Sequence, residues 1–205
     1  MEELAYKDYL TGVYNYRYFH KKLEEELKKT DSCGKPMSII MIGFHDFKKY
    51  TDKYGIDVGD KLLKDLSSEM NSIINKDKHI LCRFSENIFS IILSETDEAE
   101  ALKQAEIFRN KIDKYLHETD EHGIKFLNFS LGISVYPCLA DSKEELVKSA
   151  VEAMQNSKHS PTGVKMYFSV FSDLKDKLVQ TERELLGSLQ TLLSIIDVRD
   201  HYTYG

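Results

Sequence analysis

The chain has 205 residues, 41% of them hydrophobic, enough to cover one core and leave an appendage. With 28 basic against 34 acidic residues and a net charge of −6, it gives no electrostatic reason to bind polymeric nucleic acid or an anionic membrane, although local cations can still take small anions. Three scattered cysteines, Cys33, Cys82 and Cys138, with no CxxC spacing, argue against a disulfide framework or a cysteine zinc site and point to a reducing, cytoplasmic compartment.

The opening MEELAYKDYL has neither the basic nor the apolar region of a signal peptide, and no apolar run approaches bilayer-spanning length. The expectation is a soluble chain whose parent protein has room for a membrane segment upstream. Asn15 is placed to cap a helix running to about Lys29, with Phe19, Leu23 and Leu27 stacked at four-residue spacing. Asp31-Ser-Cys-Gly-Lys-Pro36 then breaks it. Ser38 to Phe44 (SIIMIGF) is a continuous apolar run of strand length, as expected of a central strand covered on both faces. Val58, Leu62, Leu63, Leu66, Met70, Ile73 and Ile74 carry the helical period from about Asp57 to Asn75.

Cys82 to Leu93 (CRFSENIFSIIL) reads as two apolar strands joined by the polar turn Ser85-Glu86-Asn87-Ile88. Leu102, Ala105, Phe108, Ile112 and Tyr115 mark another amphipathic helix. Phe126 to Val135 is a further strand, and Ser142-Lys-Glu-Glu145 is a capping box opening a helix that packs Leu146, Ala150 and Met154. A hairpin embedded among helix–strand alternations predicts an α+β fold of the ferredoxin-like type, a sheet containing antiparallel strands flanked by helices.

From Asp173 the character changes. Leu174, Leu178, Leu185, Leu186, Leu189, Leu192, Leu193 and Ile196 stripe one long predicted helix, overlong for a compact domain and suited to pairing with a second chain or a neighbouring domain. Gly187 in its middle costs about 1 kcal/mol relative to Ala.

The stretches DYLTGVYNYRYF (Asp8 to Phe19), FHDFKKYTDKYGIDVGDKLL (Phe44 to Leu63), RFSENIF (Arg83 to Phe89), SLGIS (Ser130 to Ser134) and AVEAMQNSK (Ala150 to Lys158) resemble the successive signatures of GGDEF domains, the diguanylate cyclase family. They stand in family order over roughly residues 4–168. The resemblance implies the palm fold of nucleotide cyclases and condensation of two GTP to cyclic di-GMP, by attack of a ribose 3′-hydroxyl on an α-phosphate. Divalent metal is needed there to neutralise phosphate charge, and magnesium prefers hard oxygen ligands, usually carboxylates.

Set against that resemblance, the sequence departs from the family at its carboxylates. The metal-binding Asp that ends the family's first strand falls on Gly43, and a second acidic residue falls on His45. The GGDEF turn falls on Ser85-Glu86-Asn87-Ile88-Phe89, so the central acidic position is Asn87. Glu86 is adjacent, but a shift of one residue points a side chain elsewhere. The two small glycines, which let a phosphate approach the backbone, are Ser85 and Glu86. No catalytic residue and no metal ligand is therefore expected.

Part of the family's nucleotide pocket is matched. Asp60 stands for an Asp that accepts hydrogen bonds from guanine, Thr51 for an Asn that reads the base, and Lys158 for a lysine on the terminal phosphates. Two of them have a plainer reading: Asp60 as a carboxylate favoured by a helix's first turn, Lys158 as a cation at a helix end. The arginine expected after Lys158 is Thr162, and the product-inhibition motif RxxD falls on Lys76-Asp-Lys-His79, which argues against feedback binding of cyclic di-GMP. His117-Glu-Thr-Asp-Glu-His122 reads as a solvated loop rather than a metal cluster, and His45 with Asp46 as polar residues without a metal role.

The last segment, Leu189 to Gly205 (LQTLLSIIDVRDHYTYG), resembles the opening of HD-GYP domains, the cyclic di-GMP phosphodiesterases, ahead of their metal ligands. The organisation expected is a degenerate GGDEF domain over 1–170, then a connecting helix and the start of an HD-GYP domain over 171–205. The expected role is an inactive module that governs a C-terminal phosphodiesterase by sensing GTP or by homodimerising along the long helix. It needs no cofactor, with GTP and Mg2+ a weak ligand at most; the other reading is an active cyclase with atypical metal ligands.

Overall fold

The strand Met37–Phe44 (β1) is buried at every position, because it lies between two neighbours and is covered on both faces. The chain's computed structural model describes residues 3–119, 127–157 and 163–166. Five helices accompany the sheet: α1 (Tyr16–Cys33), α2 (Phe47–Tyr54), α3 (Ile56–Ser72), α4 (Glu98–Glu118) and α5 (Lys143–Ser157). The remaining strands are β2 (His79–Arg83), β3 (Ile88–Leu93), β4 (Phe129–Tyr136) and β5 (Val164–Met166). All described residues belong to the first of two units, Met1–Tyr167. The leucine-striped helix and the HD-GYP-like segment fall in the second, Phe168–Gly205, outside the described residues.

The sheet order is β2-β3-β1-β4-β5. The first four strands are antiparallel to their neighbours, and β5 adds parallel to β4. With two crossover connections through helices, this is the split βαβ arrangement expected from the element order, extended by one short edge strand.

Alternation along β1 divides the core. Ile40, Ile42 and Phe44 point into the cluster built with α2, α3 and α4, whereas Met37, Ile39 and Met41 point into the one built with α1 and α5. Gly43, by the same period, faces α5.

Several boundaries differ from the sequence expectation. Helix α1 runs through Asp31 to Cys33 and stops at Gly34, whose φ of 70° lets its N–H close on the Thr30 carbonyl at 2.8 Å. The helical period expected from Asp57 is preceded by a separate helix, α2, divided from α3 by Gly55 at φ 98°. At α5 the Ser142 hydroxyl accepts from Glu145 N–H at 3.2 Å, and the Glu145 carboxylate accepts from Asp141 N–H at 2.8 Å, so the reciprocal bond reaches one residue further back than in a standard capping box.

Candidate functional site

The end of β1 and the β2–β3 turn meet at the top of the sheet. Gly43 pairs with Ile88 across the ladder, and Phe44 N–H donates to the Asn87 carbonyl at 3.0 Å. The Asn87 side chain returns the contact, its Nδ2 donating to the Phe44 carbonyl at 2.7 Å. Because a carbonyl can only accept, this bond fixes the amide's orientation. Asn87 is half-buried, whereas Ser85 and Glu86 are exposed, so the one carboxylate in the turn lies on the solvent side.

The space beside Gly43 is already filled. A Cβ built there meets Met154 Sδ at 2.7 Å and Cε at 3.1 Å, both from α5. Next along the chain, His45 N–H donates to the Asn128 carbonyl at 2.7 Å and its Nε2 lies 2.6 Å from Ser130 Oγ. Ser130 Oγ gives its one hydrogen to the Met154 carbonyl at 2.8 Å, so His45 Nε2 is the donor to Ser130. His45 is thereby directed into the β4–α5 packing.

These donors do not fit a magnesium site. The oxygens available here are the Phe44 carbonyl, already bonded to the Asn87 amide nitrogen, and the Asn87 amide oxygen; neither is anionic. Among the described residues there is no group of three or more His, Cys, Asp or Glu able to hold a metal.

Thr51 on α2 packs against Gly59, the residue before Asp60, on α3. The Thr51 methyl lies against the position a Cβ on Gly59 would occupy, so Gly59 is what lets the two helices close. The Thr51 hydroxyl donates to Lys48 O at 2.9 Å and retains only acceptor capacity. Asp60 is half-buried, and its carboxylate makes no hydrogen bond or ion pair among the described residues. Since α3 begins at Ile56, the first-turn carboxylate is Asp57, not Asp60. The dipole explanation for Asp60 therefore weakens, because the effect falls off beyond the first turn. Lys158 and Thr162 lie outside the described residues.

Sequence reasoning missed how the turn is held from the N-terminal side. Arg83 bonds Asp8 at 3.1 Å and, through its second amino group, the Glu86 carbonyl at 3.0 Å. Asp8 also accepts from the Thr11 hydroxyl at 2.7 Å and amide at 2.9 Å. Burial alone would raise the Asp8 pKa, but the Thr11 and Arg83 contacts outweigh it and hold it below the usual carboxylate range. The signal was the charge complementarity of Asp8 and Arg83, invisible without knowing that Tyr14 bridges Cys82. His117, from the expected loop cluster, bonds Asp113 O at 2.8 Å within α4; Asp120 to His122 lie outside the described residues.

The family model for the diguanylate cyclase GGDEF domain matches residues 5–163. The chain is 33% identical over 160 residues to the response regulator PleD of Caulobacter vibrioides, covering 77% of this chain and 35% of that protein. It is 26% identical over 185 residues to the cyclic di-GMP phosphodiesterase NbdA of Pseudomonas aeruginosa, covering 90% of this chain and 23% of that one. The chain thus spans about a third or less of the length of these relatives. Among solved structures, the GGDEF domain of DgcB from Caulobacter crescentus, in complex with c-di-GMP, superposes with a TM-score of 0.71 at 17% identity, over 80% of this chain and 94% of that one. Diguanylate cyclase SiaD from Pseudomonas aeruginosa, in complex with its activator SiaC, gives 0.72 at 22% identity, over 82% of this chain and 63% of that one. No helix among the described residues is long and apolar enough to cross a membrane.

Proposed function

Because the chain belongs to the GGDEF diguanylate cyclase family, we propose that this domain has lost cyclase chemistry and serves as a regulatory module in cyclic di-GMP signalling, governing a C-terminal HD-GYP phosphodiesterase. The observation that carries the reading is the Asn87 Nδ2 to Phe44 O bond of 2.7 Å. Where phosphoryl transfer needs anionic oxygens to hold a divalent ion, this site closes on itself with a neutral amide. Met154 beside Gly43 supports the same conclusion, since it occupies the space a carboxylate would need.

Of the two regulatory modes, GTP sensing has the firmer local support. Asp60, half-buried and next in the chain to the Gly59 that Thr51 packs against, has a carboxylate with no hydrogen bond or ion pair among the described residues, which suits the N–H donors of guanine. A nucleotide bound there acts only through its differential affinity for two states of the domain. Dimerisation along the segment after Asp173 is the other mode.

Incubation of concentrated protein with GTP and Mg2+, followed by chromatography, tests the loss of chemistry: no cyclic di-GMP above a protein-free control is expected, and product would overturn the proposal. Titration calorimetry with GTP on the protein and on Asp60→Ala separates the two modes. Heat lost in the variant supports sensing; no heat at millimolar nucleotide removes it.

A further inference from the structure

A cleft of about 650 Å³ lies away from the β1 end, between the N-terminal segment, α1 and the exposed side of β2. Its lining carries five lysines, Lys7, Lys22, Lys29, Lys76 and Lys78, against Glu26 and Asp77. In a chain of net charge −6 this is a local reversal of sign. Lys22 and Lys29 are tied to glutamates, whereas Lys76 and Lys78 are exposed and make no ion pair among the described residues.

β2 is the edge strand of the sheet, and its outer side is only partly covered. Tyr14 N–H donates to Leu81 O at 3.2 Å, and Arg83 N–H donates to Tyr14 O at 2.7 Å. The backbone groups of residues 79, 81 and 83 therefore point outward, with those of Ile80 and Cys82 directed at β3. His79 N–H is taken by Asn75 O at 2.7 Å. That leaves the Leu81 N–H and the His79 carbonyl directed at the cleft, with no partner among the described residues. His79 is 8% exposed, and its Nδ1 also lacks a partner among the described residues. Buried polar groups normally find partners, so this edge is incomplete as it stands.

We propose that the cleft docks an acidic, extended peptide segment of a partner protein, which adds to the outer edge of β2 while its carboxylates lie among the lysines. The paired donor and acceptor decide the ligand class. A phosphate or polyphosphate is mostly acceptor at neutral pH, with at most one or two P–OH donors, and does not hold a donor and an acceptor at strand spacing to meet the His79 carbonyl and the Leu81 N–H together. An extended backbone supplies an N–H and a carbonyl on the same side at strand spacing, the pattern of strand addition. Acidic side chains on the peptide complement the lysine excess and speed encounter at low salt. The inference stands apart from the fate of the cyclase site, because it uses neither Gly43 nor Asn87.

The test is fluorescence anisotropy with the full chain and a labelled peptide of alternating Glu and Val. Three comparisons accompany it: the same peptide N-methylated at alternate residues, inorganic tripolyphosphate as competitor, and the Lys76→Glu/Lys78→Glu variant. Saturable binding is expected, weakened at least about tenfold by N-methylation and by the double charge reversal. Hydrogen exchange at the Leu81 amide should slow when peptide binds. The proposal is overturned if the N-methylated peptide binds as well as its parent, if tripolyphosphate binds more tightly than the peptide, or if no binding is seen up to about 1 mM.

Discussion

Asn87 and Phe44 hold each other twice, through the Phe44 N–H on the Asn87 carbonyl at 3.0 Å and the Asn87 amide on the Phe44 carbonyl at 2.7 Å. The second bond needs a donor at position 87. Asn87→Asp puts a carboxylate against a carbonyl oxygen, and the contact survives only if the acid is protonated. Its folded pKa is therefore raised above the unfolded value of about 3.9. The contact is present below the unfolded value and is lost as pH rises through the folded one. Urea denaturation should show the variant close to the parent near pH 4 and about 1–3 kcal/mol less stable at pH 8. Equal stability of the two proteins at pH 8 would show that the amide contact is idle.

Gly43 and Met154 form a second coupled pair. The Sδ at 2.7 Å from a Cβ on residue 43 belongs to a flexible side chain, so Gly43→Ala is tolerated at the cost of moving Met154. Overpacking of this kind costs about 1–3 kcal/mol. In a Met154→Ala background the same substitution should cost less, and the double-mutant cycle should give a coupling of about 0.5–3 kcal/mol. A coupling of zero would mean that the thioether does not fill the position.

Much of this architecture was legible because its signals are local. β1 declared itself as an unbroken apolar run, and Phe19, Leu23 and Leu27 at four-residue spacing marked the buried face of α1. α2 was not legible: FKKYTDKY offers only Phe47 and Tyr50 to the core, too few to show a period. β5 has three residues and rests on β4 for its existence.

The site divides in the same way. That positions 43 and 87 carry a glycine and an amide rather than carboxylates could be read directly from the chain. Met154 could be read only as a helix core residue, because its approach to Gly43 joins α5 to β1. The expected helix start, about Asp57, lies within one residue of the observed Ile56, but the first-turn carboxylate is Asp57, so the helix-dipole reading of Asp60 does not hold.

Helix α5 lies directly on β4 at Gly132. A Cβ there would meet Ala150 O and the backbone of Met154, atoms that cannot rotate away. Gly132→Ala must separate helix from sheet, and should cost more than Gly43→Ala, at least about 3 kcal/mol. Thermal unfolding followed by circular dichroism compares the two directly. If Gly132→Ala were the milder substitution, the close helix–strand approach would be wrong.

The Asp8–Arg83 pair anchors the N-terminal segment to the turn, with side chains only 15% and 13% exposed. The Thr11 and Arg83 contacts hold the Asp8 pKa below its unfolded value of about 3.9 despite the opposing effect of burial. The stability they contribute is thus present above that value and is lost as pH falls through the folded pKa. Asp8→Asn removes the charge but keeps the shape, leaving Arg83 to the Glu86 carbonyl at 3.0 Å. It should cost about 1–3 kcal/mol at pH 7. Because the unfolded parent takes up this proton below about pH 3.9 while the folded one resists it, the gap between the two proteins should begin to narrow by pH 3. Urea denaturation at both pH values measures it, and a gap unchanged between them would mean that geometry, not the ionised carboxylate, secures the turn.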